Sequence, residues 1–179
     1  EKENKFLEGT GSLVLDRKNK IAYACLSPRT NKDVLQKFSQ HTGYHVISFH
    51  AGDKKGIAIY HTNVLMCVGD GYAAICAEAI RNGQERETVL SSLQKSGKEI
   101  ILLSLQQLHH FAGNMLQVNN KNGEKIIVMS RQAFDSLQND QVEMLAKYGQ
   151  LVYPDLSIIE ATGGGSARCM MAEIFLPLK

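Results

Sequence analysis

The chain has 179 residues, 44% of them hydrophobic and 21% charged, with a formal net charge of +2. That length and mixture suit one hydrophobic core and exclude a disordered chain. No stripe of Lys and Arg interleaves with aromatics, which argues against a nucleic-acid partner, and the longest apolar runs, such as IILLSL at 100–105, are too short for a membrane-spanning helix.

No secretory signal is visible, and the chain opens on EKENK, charged and without a Met, which allows either processing or a chain that is only part of a longer one. A short apolar run at 12–15, a polar turn at 16–20 and a second run at 21–26 read as two strands. Pro28 and Asn31 then punctuate the chain before a helix with Val34, Leu35 and Phe38 on one face, stopped at Gly43. Residues 45–49 alternate as a strand.

The same order returns. Residues 56–60 and 64–68 read as strands, 72–79 and 85–93 as helical, and 100–103 as a closing strand. A looser copy starts after Gly113, with strands at 115–118 and 126–129, helix across 133–148 and a strand at 151–152. Each strand-strand-helix-strand unit has an apolar sheet face that neighbours must cover, so the copies are expected to pack around a common centre.

In the last stretch, SIIEATGGGSARCMMAEIFLP (157–177), an extended run breaks into Gly163, Gly164 and Gly165 and delivers Cys169 at the start of a second extended run. Such a turn can hold a thiol in a cleft, with Arg168 beside it to favour the thiolate; the competing reading is an inert cysteine at the head of a strand. GGGSAR matches neither GxxxxGK[ST] nor GxGxxG, so it is not read as a phosphate loop. The other cysteines, at 25, 67 and 76, lie in apolar runs and read as buried small hydrophobes; with no CxxC, the pattern suits a reducing compartment and a cytoplasmic protein.

A thiol nucleophile needs a base, and His61, between two expected strands, is the candidate; a structural histidine fits its setting equally well. Glu8, in FLEGTGS, can orient that imidazole or meet a cationic substrate, or be a solvated acid. Asn114, in FAGNML, offers an amide to a substrate's polar tail or caps a turn. No HExxH or Cys/His metal spacing occurs, and neither metal nor cofactor is assigned.

Taken in order, EGTGS (8–12), ACLSPRT (24–30), IYHTNVLMCVG (59–69), FAGNML (111–116), VMSRQAF (128–134) and GGGSARCMMAEIF (163–175) resemble the amidinotransferase and arginine-deiminase superfamily of guanidine-modifying enzymes. The nearest likeness is to its arginine-deiminase-related, citrulline-utilization-hydrolase type branch. The resemblance implies an α/β fold, a five-bladed ββαβ propeller with pseudo-fivefold symmetry, of which residues 1–179 would be roughly the C-terminal three to three and a half units. It thereby implies that N-terminal units of the same domain, partners of this chain, lie outside it.

The resemblance places Cys169 as nucleophile, His61 as catalytic histidine and Glu8 as the acid that engages it. Asn63, Asn114, Gly164, Gly165 and Arg168 become substrate-binding candidates. Arginine deiminases carry an aspartate where this chain has Asn63; an amide accepts a hydrogen bond from a guanidinium but cannot neutralise it, which loosens the case for free arginine. The implied chemistry is attack of Cys169 on a small guanidino substrate, an S-alkylthiouronium intermediate, and water as acceptor to give a ureido product. Transfer to an amine, a dimethylarginine-type hydrolase, an amide-cleaving cysteine hydrolase and a non-enzymatic interaction protein are the alternatives, and the oligomeric state is left open.

Overall fold

The computed structural model describes residues 4–173. A short helix α1 (Gly9–Ser12) leads into strands β1 (Val14–Asp16) and β2 (Ile21–Cys25), helix α2 (Lys32–Thr42) and strand β3 (His45–Phe49). Then come α3 (Thr62–Leu65), β4 (Met66–Val68), β5 (Tyr72–Ile75), α4 (Gly83–Lys95) and β6 (Glu99–Leu102). The third group is α5 (Leu105–His109), β7 (Leu116–Asn119), β8 (Lys125–Val128), α6 (Arg131–Asp135), α7 (Asn139–Ala146) and β9 (Gln150–Val152). Helix α8 (Ser157–Gly163) and a 3₁₀ turn (Ala167–Met170) follow.

Each group forms one three-stranded mixed sheet, in the orders β1-β2-β3, β4-β5-β6 and β7-β8-β9. In each the first pair is antiparallel across a tight turn and the second parallel across a helical connection, the arrangement that a parallel pair requires. Strand hydrogen bonding stops at the edge of each sheet, and no sheet closes on itself. The described residues therefore form three small mixed sheets with interspersed helices, and the expectation of a five-bladed ββαβ propeller is corrected: neither five units nor a closed ring is present among them.

The local signals for α2 act as their chemistry dictates. The Asn31 side chain accepts from the N–H groups of Asp33 and Val34, satisfying donors that a helix start leaves unpaired, and Gly43 ends the helix at φ 71°. Elsewhere burial overrides pattern. Tyr72–Ile75, expected to be helical, is the central strand of its sheet, and all four of its residues are buried, so no alternation marks it. Residues 56–60 form no strand; Ala58 makes only an isolated bridge to Gly52. Residues 157–159 begin α8 instead of an extended run, and Cys169 sits in the 3₁₀ turn. The strand expected after it lies largely outside the described residues.

β4 packs against both β1 and β7, so the inner strands share one centre. Around it Tyr23, Phe49, Leu65, Met66, Tyr72, Ile75 and Ile127 are fully buried. Gly69 is a glycine of necessity, since a Cβ there would lie 2.1 Å from the Tyr72 ring. The centre also holds an ion pair: Lys98 Nζ lies 3.1 Å from Asp16 Oδ2, with side chains only 4% and 1% exposed, and donates to the Gly69 carbonyl. No helix among the described residues is long and apolar enough to cross a membrane.

Candidate active site

Glu8 and His61 are brought together by two buried hydroxyls. Ser12 Oγ accepts from the Glu8 N–H and from Thr30 Oγ1, and donates to the Arg29 carbonyl. Thr62 Oγ1 donates to the Ser12 carbonyl at 2.6 Å and accepts from the Cys25 N–H at 2.7 Å. These bonds pin the Glu8 loop and α1 against α3, whose N-cap is His61. On that frame His61 Nε2 is 2.6 Å from Glu8 Oε2. The imidazole lies so close to α1 that a Cβ at Gly11 would be 2.9 Å from its Nε2. The His61 hydrogen bond, reinforced by Arg29, holds the Glu8 carboxyl below its ordinary value. Arg29 Nη1 is 3.4 Å from the same carboxylate oxygen, and its guanidinium lies over the Tyr60 ring.

Cys169 is held by a second frame. α8 ends on Gly164 at φ 67°, and a Cβ at Gly165 would sit 3.1 Å from Cys169 Cβ and 3.5 Å from its sulfur. Buried Glu160 fixes this loop: it accepts from Ser166 Oγ at 2.6 Å and from Gln132 Nε2. The loop presents Cys169 to Asn114, which is fully buried. Asn114 Nδ2 is 3.3 Å from the sulfur and 2.9 Å from the Asn63 carbonyl oxygen, while its Oδ1 accepts from the Arg168 N–H at 3.1 Å. Asn63 Nδ2 also faces the sulfur, at 3.8 Å. The loop delivering Asn114 is tight: Phe111 has φ 60°, and a Cβ at Gly113 would fall 2.4 Å from the Val64 carbonyl oxygen.

Helix α3 ties the two frames together. His61 caps it and meets Glu8; Asn63, two residues on, meets Cys169 and Asn114. An imidazole with a carboxylate partner and a sulfur surrounded by amide donors are thus anchored to one short element, an arrangement suited to nucleophilic attack with proton transfer. Cys169 is exposed, whereas burial pushes the thiols of Cys25, Cys67 and Cys76 up to about 11.

The remaining candidates fall elsewhere. Gly164 and Gly165 shape the loop. The Arg168 side chain is buried and lines a cleft whose walls do not include Cys169, His61 or Glu8. Arg29, Ser12, Thr62 and Glu160 are site residues that sequence reasoning does not name; all four lie inside stretches singled out there, but no local pattern distinguishes them from their neighbours. Among the described residues no group of three His, Cys, Asp or Glu side chains could hold a metal ion.

A family model described as N,N dimethylarginine dimethylhydrolase, eukaryotic, matches residues 1–176. No curated protein matches the chain. Among solved structures the chain is similar to apo ArgZ, an arginine dihydrolase from the ornithine-ammonia cycle in Cyanobacteria, at 20% identity and TM-score 0.71, covering 91% of this chain and 24% of ArgZ. It is similar to the product-bound N-terminal domain of ArgZ at 22% identity and TM-score 0.70, covering 91% of this chain and 54% of that domain. The agmatine deiminase of C. jejuni matches at 14% identity and TM-score 0.59, over 98% of this chain and 58% of the other. At these identities the likeness is one of fold. The chain spans about a quarter of ArgZ and about half of its N-terminal domain.

Proposed function

This chain belongs to the eukaryotic N,N-dimethylarginine dimethylhydrolase family, within the amidinotransferase and arginine-deiminase superfamily, and from that premise we propose that the full-length protein is a cysteine-dependent hydrolase of a small guanidino compound. The observation that carries the reading is α3, which holds the Glu8-paired imidazole at its N-cap and, through Asn63, an amide against the Cys169 sulfur. A guanidinium carbon is resonance-stabilised and a poor electrophile, so the sulfur must be charged, aimed and held against it.

In this reading the Cys169 thiolate adds to the guanidino carbon, with Asn114 and Asn63 N–H groups supporting the sulfur. The tetrahedral adduct collapses by expelling ammonia or an amine, which leaves with a proton from His61; Glu8 stabilises the imidazolium that supplies it. The now neutral His61 takes a proton from water as that water adds to the S-alkylthiouronium carbon. Loss of the thiolate, with the hydroxyl proton of the adduct passing to solvent, then gives the ureido product and restores the thiolate and the protonated His61. The exposed sulfur leaves the other wall of the substrate site to the rest of the protein, which would also supply the acid opposite the guanidinium.

The family description favours a dimethylarginine-type substrate. Arginine or agmatine is the second reading, drawn from what the similar solved enzymes act on. The leaving group separates the two. Full-length protein incubated with N,N-dimethylarginine, arginine and agmatine should release dimethylamine from the first or ammonia from the others, each with a ureido product. Cys169→Ala should end turnover; release of neither amine nor ammonia from any of them, or undiminished turnover by the Ala variant, would remove the proposal.

A further inference from the structure

Behind the nucleophile loop lies a cleft of about 420 Å³ between the inner strands, with Leu13, Leu15, Val68 and Leu116 among its walls. Four cations and three carboxylates line it, and each carboxylate is already committed. Asp16 pairs with Lys98, Glu173 with Arg17, and Asp70 with Lys125 from outside the cleft. The remaining cations are Lys18, exposed at the rim, and Arg168. Arg168 is only 8% exposed, and its Nε has no hydrogen-bond partner among the described residues. Glu173 is the acid whose field reaches it, at no ion-pairing distance. Tyr72 Oη, in electrostatic reach of the same guanidinium and beside the Cys67 side chain, is likewise buried and meets no hydrogen-bond geometry with the described residues.

A buried guanidinium with no ion-pair partner among the described residues is costly, and its planar fork matches a carboxylate. The apolar walls leave room for a short hydrocarbon tail, which inorganic anions lack. We propose that this cleft binds a small aliphatic carboxylate, with its head on Arg168 and its tail against Leu13, Leu15, Val68 and Leu116. The walls of the cleft do not include Cys169, although the sulfur lies in electrostatic reach of the Arg168 guanidinium, and the proposal does not depend on the hydrolase reading.

Calorimetric titration of the full-length protein with sodium pentanoate tests it, with inorganic phosphate as the comparison probe. Pentanoate should bind saturably at one site, and phosphate about tenfold or more weakly. Arg168→Gln should weaken pentanoate by about ten- to hundredfold, the loss of one charge-assisted contact. Leu15→Trp, which fills the cleft and leaves its charges in place, should abolish binding with the melting temperature retained, and covers the case in which Arg168→Gln fails to fold. Absence of saturable binding to the folded wild type would overturn the proposal and assign Arg168 to a carboxylate of the polypeptide itself. Equal affinity for phosphate, or full binding by Leu15→Trp, would overturn it as well.

Discussion

Asn114→Ala separates the support of the sulfur from the support of the fold. The amide is fully buried and used four times: Oδ1 accepts from the Arg168 N–H and, at 3.6 Å, from the Cys169 thiol, and Nδ2 faces both the Asn63 carbonyl and the sulfur. Truncation takes this partner from two buried backbone groups, at about 1–3 kcal/mol each, so a loss of roughly 3 kcal/mol in urea unfolding is expected. A hydrogen bond to a charged group contributes about 1.5–3 kcal/mol, and losing it at the sulfur should lower kcat about ten- to hundredfold. Asn114→Asp keeps an acceptor for the Arg168 N–H but removes the donor and sets a carboxylate beside the sulfur. It should be the more stable of the two variants and the slower. Amine or ammonia release gives kcat, and circular dichroism in urea gives stability. An Asn114→Ala enzyme that loses stability yet keeps its kcat within about threefold would refute the reasoning, because the amide would then matter only to the fold.

Three further outcomes follow from the same geometry. Iodoacetamide near pH 8 should label one thiol of the folded chain, Cys169, and all four in denaturant, since the other three are buried with thiols raised to about 11; rapid labelling of a second thiol would contradict the packing. Lys98→Met should cost about 3–5 kcal/mol by leaving Asp16 charged and buried, and Asp16→Asn in the same chain should recover most of it; a single variant as stable as wild type would contradict the pair's structural role. Because the Glu8 carboxyl is held below 4.5, chiefly by His61, its contribution is present above that value and lost as pH falls through the lower folded value. Urea midpoints measured downward from neutrality should therefore fall less steeply in that acid range for Glu8→Gln than for wild type, and equal slopes would show that the shift carries no stability.

What the sequence revealed, and what it hid, has physical causes. Asn31 and Gly43 act through their own backbone neighbourhood, so the ends of α2 were legible. The groups of strand, strand, helix and strand are legible too, but the pattern of the second group is out of phase with its sheet: Tyr72–Ile75 is buried on both faces and shows no alternation, and the apolar run at 56–60 makes no sheet. Ile158 and Ile159 suggested a strand because they are apolar and adjacent, yet both are exposed and lie on α8. Cys169, His61 and Glu8 could be singled out because their types suit the chemistry. That Asn114 faces the sulfur, while Arg168 turns its side chain to a different cleft, depends on contacts 54 and 55 residues apart, which no local pattern encodes.

The central claim is that the Cys169 sulfur forms a bond to a guanidino carbon during turnover. Full-length protein quenched in acid while turning over its substrate, then digested and weighed by mass spectrometry, tests it directly. The account predicts an amidino-type adduct on the peptide that contains Cys169 and none on that peptide in Cys169→Ala. A quenched enzyme that turns over while Cys169 stays unmodified, with the Ala variant equally active, would contradict it.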